Sequence, residues 1–559
     1  MQSLIFINAG KVNVGTGAGN HLGDQTSSGS VTINTSSTST TFAAIAVGTG
    51  TKVGDINISN NDIGGITINQ IGGVGGMSLR GIDIGAATRG LFTVSDNIIG
   101  GVSPGNMAQN TGNNALAFIN RTTSNGRLHI VSGNIIRNFS TSISTSSITG
   151  LSAGGTINSS VTNNTIYGLT SAQATVGIGA SSAVMGLSFG LQSAVLENTC
   201  SGNTIYALNN TGAAKTTVTG LVVNTAATGT HNIFKNSVHS LNASNDSSSL
   251  VGIHIAAGDP NVYNNMVRLG IDSNGTDINT NRMIVGIFEA GGTSGIYFNT
   301  VYIGGASVTA GLANTYGFYS TVTSGTRVIR NNIFTNKRMN GGSTGNHYAI
   351  YLATTGLNPA GLTLNNNNYF SSNSTIGYYN GANRATFSNW RTATGLDAAS
   401  MSEDPVFVNA IGSSSNLDLH ITPATTSLME SGGVAISGIT TDFDGDARPG
   451  PAGSINGGGT AVDIGADEFD GGVFPINMSA TALVGPLGTC ASTGKTVIVR
   501  IKNNSPSATI DFSVNNVTIS AEVSGPNAIT FTPIVLSTDT LAVGATLDVT
   551  ISTNYDMSA

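Results

Sequence analysis

The chain has 559 residues, enough for two or more domains, and 39% of them are hydrophobic, so it has a core to bury despite its 75 glycines. Only 9% are charged, the net charge is −7, and the 21 Lys and Arg are spread along the chain. That distribution offers no basic footprint and argues against nucleic acid and anionic membrane surfaces as partners. No apolar stretch reaches the length of a membrane-spanning helix, so direct membrane insertion is not expected.

In chain order, Met1-Gln2-Ser3-Leu4-Ile5-Phe6 lacks the charged and long apolar regions of a signal peptide. The first residues already read as coil sequence (Gly29-Ser30-Val31-Thr32-Ile33-Asn34) with no cap before them, and the expectation is a truncated chain.

A repeat then runs through the chain. Its anchors are Asn61, Asn97, Asn134, Asn164, Asn203, Asn236, Asn265, Asn299, Asn332 and Asn367. Three residues before each stands an apolar residue, from Ile58 to Leu364, with Cys200 in the same column. Two residues after each stands another, from Ile63 to Tyr369. A second anchor, Gly or Ala, recurs at 31 to 37 residues: Ala44, Gly81, Ala115, Gly150, Gly186, Gly220, Gly252, Gly286, Gly317 and Ala349. A fixed order of short segments at a loosely fixed period marks a solenoid. The apolar positions alternate in short runs rich in Val, Ile, Thr and Tyr, which selects β-coils over helical repeats.

The predicted fold is therefore all-β: a right-handed parallel β-helix of about ten coils, three strands per coil, with an asparagine ladder. At a strand spacing of about 4.8 Å, the rod would be roughly 45 to 50 Å long. The asparagine is expected at the sharp corner between two strands, because it tolerates a left-handed backbone, and its amide can bond to the asparagine of the next coil. Cys200 reads as a buried free thiol, and Cys490 lies in a different predicted domain. No Cys/His set has metal-ligand spacing.

Outward rows follow from the register. Three residues after the ladder asparagines stand Arg137, Tyr167, Tyr206, His239, Arg268 and Tyr302; two before them stand Phe234, Tyr263, Tyr297 and Arg330. Stacked rings and guanidinium groups can dock on sugar faces while Asn, Ser and Thr bond the hydroxyls. Tyr167, Tyr206, His239, Arg268, Tyr302, Tyr263 and Tyr297 are thus candidate glycan-binding residues. The alternative is that like residues stack only to cover strands. The outward row of the Gly/Ala strand reads Ala46, Asp83, Ala117, Ser152, Ser188, Val222, His254, Phe288, Tyr319 and Tyr351. Asp83 and His254 are five coils, about 24 Å, apart, and cannot share a proton. No row supplies the carboxyl pair a glycosidase needs. Asp259, Asp272, Asp277 and Glu289 are left as acids on long turns.

From about Phe387 the composition changes. Asn389-Trp390-Arg391, Gly395-Leu396-Asp397, Asp404-Pro405-Val406-Phe407-Val408, Asp418-Leu419-His420-Ile421, the stretch from Thr441 to Pro449 and that from Val462 to Phe469 follow in a specific order over roughly 80 residues. This order resembles the ending of bacterial secreted, pectin-lyase-like β-helix surface proteins with a choice-of-anchor type C-terminal segment. The chain departs from that pattern at Ser427-Leu428-Met429-Glu430-Ser431-Gly432, where the family often has Ser-Pro. The resemblance implies a secreted or surface-held bacterial protein, commonly of organisms using type IX secretion, with the motif closing the last coils. It implies no reaction.

Asp442, Asp444 and Asp446 are a weak calcium candidate, because Gly445 falls fourth and Gly453 twelfth where an EF-hand loop wants Gly sixth and Glu twelfth. After Asp470-Gly471-Gly472 the chain alternates apolar and polar, with turns at Asn503-Asn504-Ser505 and Gly525-Pro526-Asn527, and reads as an immunoglobulin-like sandwich that stops before its last strand. The expected division is 1–386 β-helix, 387–472 terminal coils and closing segment, and 473–559 sandwich.

The function expected first is a non-catalytic secreted or cell-surface rod of the adhesin type, contacting polysaccharide or glycoconjugate along its aromatic rows, or other surface proteins. The rivals are a carbohydrate-active enzyme, a polysaccharide lyase or glycosidase with its site on the long turns, and a self-assembling filament unit.

Overall fold

The computed structural model describes residues 2–558 apart from 36–38, 49–53, 72–75, 85–89, 111–115, 124–128, 156–157, 175–176, 179–180, 192–196, 306, 451–460, 472–476, 489–491, 506–508, 515 and 525–527. Ala115, Gly453, Gly472, Cys490 and the Gly525-Pro526-Asn527 turn lie outside the described residues, as does the side chain of Ala117.

Residues 2–379 wind as a parallel β-solenoid of three sheets. The leading sheet carries the Gly/Ala strands, the ladder sheet carries the strands running into the asparagines, and the trailing sheet carries those after them. The register is the one the repeat predicts. Val131 pairs with Val161, Val161 with Cys200 and Cys200 with Ile233. Both apolar columns are buried from end to end in one continuous core. Cys200 is a free, buried thiol, and burial pushes its pKa well up.

The ladder forms as a double bond per step. Each asparagine Oδ1 from Asn97 to Asn367 accepts both the backbone N–H and the side-chain amide of the asparagine one rung earlier, at 2.8–3.1 Å. The other amide hydrogen bonds a carbonyl of the apolar column one rung back, as Asn203 does to Val161 and Asn236 to Cys200. These amides are fully buried, where an unmade bond would be costly, so the bonds fix which residue stacks on which.

Three details differ from the sequence reading. The ladder sheet has eleven strands, because an earlier rung precedes Asn61: Asn20 donates to Asn61 Oδ1 at 2.7 Å, and Leu22 pairs with Ile63. Val14 stands six positions before Asn20 rather than three, with left-handed Gly15, Gly17 and Gly19 between them, and that insertion hides the rung. The left-handed backbone belongs to the residue before each ladder asparagine, not to the asparagine itself: Asn60, Asp96, Gly133, Asn163, Gly202, Lys235, Asn264, Phe298, Asn331 and Asn366. In the third Gly/Ala coil, Ile119 pairs with Ile82 and Leu151, so Phe118 rather than Ala115 is the register residue and Asn120 rather than Ala117 continues the row of Asp83.

The glycine anchors have a steric cause. A Cβ on Gly220 would lie 2.2 Å from Val238 Cγ1, and one on Gly286 would lie 2.2 Å from Val301 Cγ1. The leading strands bend inward there, onto the apolar residues that follow the ladder.

After the last rung the resemblance motif closes the core. The helix Phe387–Thr394, capped by Thr386, places a fully buried Trp390 against Tyr369 and Tyr379. Trp390 Nε1 donates to Asp397 Oδ2 at 2.7 Å, Ser400 Oγ donates to Asp397 Oδ1, and the same hydroxyl accepts the Asn367 backbone N–H that ends the ladder.

The chain then doubles back along the side of the rod. Asp404 meets Lys337, Phe407 packs edge-on against Tyr302, and the Gly412 carbonyl accepts from Arg268, each contact one coil nearer the N-terminus than the last. Its return path bonds the corner row: Val434 with Asn331, Gly432 with Asn366 and Thr441 with Asn264. Arg448 stacks 4.2 Å over Phe298 and pairs with Glu468. A left-handed phenylalanine is strained, and this cover is what holds it.

Residues 477–558 form an antiparallel unit, a three-stranded sheet of Met478–Gly485, Lys495–Asn503 and Thr546–Tyr555 with three further strand pairs.

Asn203→Ala removes two donors and an acceptor from the buried ladder and is expected to cost about 3 kcal/mol. Asn274→Ala, at an exposed turn residue bonded only through its backbone N–H, is expected to cost under about 0.5 kcal/mol. Urea midpoints measure both, and equal shifts would contradict the ladder's role.

Candidate functional site

The trailing row is in register as expected: Tyr167 pairs with Tyr206, Tyr206 with His239, His239 with Arg268 and Arg268 with Tyr302. Six open coils are not what it presents. The doubled-back segment covers its second half, so Arg268 is fully buried and Tyr302 lies beneath Phe407. Arg268 instead donates to the carbonyls of Asp272 and Gly412 and to the Ser240 hydroxyl. Burial lowers its pKa to about 10, and it lowers that of the buried His239 to about 3. Tyr167 and Tyr206 stay half-buried, stacked at 4.8 Å and 6°, and Tyr206 stacks on His239 at 5.0 Å. On the ladder sheet Phe234 and Tyr263 stack at 4.8 Å, while Tyr263 and Tyr297 face Ile436–Ile439 of the doubled-back segment.

A further aromatic cluster covers the outer face of the leading sheet. His254, Phe288 and Tyr319 stack in sequence at 5.0 and 4.9 Å, and Tyr351 stacks on Tyr378 at 4.3 Å. A second column, Val251, Val285, Tyr316 and Tyr348, packs beside the first, with Tyr316 4.5 Å from Tyr319. Strict alternation would not put residues three apart on one face. Here Gly317 and Ala349 turn inward together with the residue that follows, so Tyr316 and Tyr319 both face outward, as do Tyr348 and Tyr351. The signal was the column one before the Gly/Ala anchor.

Beside this surface lies a groove of about 470 Å³ with Tyr316, Met283 and Leu312 on its apolar side and Lys215, Thr217, Ser249, Asn281 and Asn314 on its polar side. Burial, reinforced by Tyr378, pushes the Tyr351 phenol up to about 12, so it keeps its proton at neutral pH.

The acids noted in the sequence lie elsewhere. Asp83 is buried in an ion pair with Arg80 at 2.7 Å. Glu289 sits in a strand rather than a turn, paired with Arg327 and Ser320. Asp272 closes its own turn through the N–H groups of Asn274 and Thr276.

Of Asp442, Asp444 and Asp446, the first is consumed by structure: it accepts the N–H groups of Asp444, Gly445, Asp446 and Glu468. Asp444 instead joins a set the sequence reading missed, because its members are 23 or more residues apart. His420 Nε2 lies 2.6 Å from Asp444 and its Nδ1 lies 2.5 Å from Asp418. One ligand atom each of His420, Asp444 and Asp467 lie within 4.8 Å of one another, a donor set of the kind that holds a divalent ion.

No family model, curated protein or solved structure matches the chain.

Burial works against a charged His420, but the carboxylates of Asp467, Asp418 and Asp444 outweigh it and hold its pKa above the usual value. Burial raises Asp467 to about 7, against the pull of His420. Both groups hold a proton more tightly folded than unfolded. Their contribution is therefore fully present only below the unfolded values, 3.8 for Asp467 and 6.5 for His420, and is lost as pH rises from there through the folded values. Intrinsic-rate-corrected amide exchange over residues 418–446 should be slower at pH 5.5 than at pH 8, and His420→Gln should flatten the difference. Faster exchange at pH 5.5 would contradict the assignment.

Proposed function

We propose that this protein is a non-catalytic, secreted or surface-held β-helical rod that binds polysaccharide on the outer face of its leading sheet. The observation that carries the reading is the row of half-buried rings Phe288, Tyr319, Tyr351 and Tyr378, packed on the buried Tyr316 and Tyr348, beside a groove of amides and hydroxyls. The apolar ring edges and phenol hydroxyls of the row suit the mixed C–H and hydroxyl surface of a sugar, and the amides and hydroxyls of the groove satisfy the sugar's remaining hydroxyls. Consecutive coils bring the rings within 4.3–5.0 Å of one another, stacked except where Tyr351 stands edge-on to Tyr319 at 82°, so a chain laid along the rod meets a ring at each coil. Lys215, on the rim, suits a polymer bearing acidic sugars.

The low charge, the ladder and the order of the closing motif support an extracellular setting of the bacterial, choice-of-anchor kind. In that setting the antiparallel unit of residues 477–558 serves as an immunoglobulin-like spacer.

On a polysaccharide array, Tyr319→Ala with Tyr351→Ala should weaken binding at least tenfold while leaving the melting temperature within a few degrees. A blank array for the unmodified protein, or undiminished binding by the double variant, would overturn the reading.

A further inference from the structure

The doubled-back segment gathers donors from three places in the chain. His420 stands on the strand Asp418–Ile421, Asp444 on the turn held by Asp442, and Asp467 in the closing motif. One ligand atom of each lies within 4.8 Å of the other two. They line a cavity of about 360 Å³ together with Asp446, Glu468 and Asp470, so five carboxyl groups and no lysine or arginine are among the described residues of its wall.

Two of the donors are held in place from behind. His420 Nδ1 faces Asp418 Oδ1 at 2.5 Å, the same oxygen accepts the His420 backbone N–H at 2.9 Å, and Phe443 stands edge-on to the imidazole. A carboxylate behind one ring nitrogen keeps the proton there and presents the other nitrogen as a ligand, as it does for metal-bound histidines generally. Asp467 is 8% exposed, and its Oδ2 accepts the Ile421 N–H at 2.9 Å. Its Oδ1 has no hydrogen-bond donor among the described residues. An anionic oxygen left unbonded at a buried position is costly unless a cation meets it.

With the ring proton on Nδ1, His420 Nε2 and the Asp444 carboxylate are both acceptors, yet Nε2 lies 2.6 Å from Asp444 Oδ2. Something positive has to stand between them, either a second ring proton or a metal ion. A proton answers that one pair and leaves Asp467 Oδ1 unmet. A divalent ion answers all three donors. Ligands at about 2.0–2.2 Å from one ion lie up to about 4 Å apart, and Asp444, whose side chain is 52% exposed, can move to close the set.

We infer that His420, Asp444 and Asp467 bind a divalent ion of the zinc type, with water from the cavity completing its shell. The imidazole nitrogen disfavours calcium and magnesium, which take oxygen ligands. Because His420 and Asp444 are 24 residues apart, the ion ties the strand, the turn and the closing motif of the doubled-back segment to one another. The site is independent of the sugar-binding reading and implies no reaction.

The test is calorimetric titration of the untagged full chain, first stripped with a chelator, with Zn²⁺ alone and with Ca²⁺ alone. Zn²⁺ should bind at one per chain, at least tenfold more tightly than Ca²⁺, and should raise the melting temperature. His420→Ala and Asp444→Ser should each weaken Zn²⁺ binding at least tenfold. Asp418→Asn, a positioning variant, should weaken it by about tenfold or more through the freed imidazole. His21→Gln, at an exposed histidine on the first coil, should leave it unchanged. Asp444 is exposed, so its variant decides the matter should His420→Ala unfold the segment, and melting temperatures identify such a failure. Absence of Zn²⁺ binding would overturn the inference and leave a proton alone between His420 and Asp444. Binding retained by both His420→Ala and Asp444→Ser, binding lost in His21→Gln, or a preference for Ca²⁺ would overturn it as well.

Discussion

A buried amide that must find its partners one coil away sets the rest of this structure. Each ladder asparagine from Asn61 to Asn332 is fully buried and bonds to both neighbouring rungs, so a coil that slipped by one residue would strand several polar atoms in the core. Hydrophobic burial excludes a one-residue slip, which would turn an apolar column outward, but does not distinguish slips of two, because Val, Ile and Cys at the inward positions are interchangeable in kind. The ladder makes the choice. Every outward row inherits its alignment from it, including the tyrosines of the trailing sheet and the aromatic surface of the leading sheet.

The second determinant is the doubled-back segment. It converts the side of the rod into a buried interface over the coils from His239 onward and leaves the earlier coils of the trailing face open. Its grip is specific rather than merely apolar: asparagines of the corner row exchange hydrogen bonds with its backbone, and Arg448 covers Phe298. The motif acids serve that grip, with Asp442 holding four backbone N–H groups and Asp463 holding those of Ser431 and Phe469. His420, poised among Asp418, Asp444 and Asp467, adds a proton-dependent element to the same interface.

What could be read in advance was what depends on neighbours in the repeat. The columns around Asn61 to Asn367 are periodic, so each rung supports the assignment of the next. Asn20 is hidden by a glycine-rich insertion that breaks its spacing, and the third coil carries Phe118 at the register where its neighbours carry Gly. The left-handed corner was placed one residue late, since asparagine is common at both positions, as in Asn163-Asn164 and Asn331-Asn332. The cover over Arg268 and Tyr302 was not legible at all. It joins residues more than a hundred apart, such as Arg268 and Gly412, and no periodic pattern records such a contact. The paired tyrosine columns of the leading sheet were half visible, because the glycine kink breaks the alternation on which the reading relied.

The central claim is that the asparagine side chains form one continuous buried ladder. Hydrogen exchange of the side-chain amides, followed by NMR on protein labelled with ¹⁵N-asparagine, tests it most directly. The account predicts a group of asparagine side-chain amides, those of the ladder, that stay protected long after exposed ones such as Asn274 have exchanged. Uniformly fast exchange of all asparagine side chains in the folded protein would contradict it.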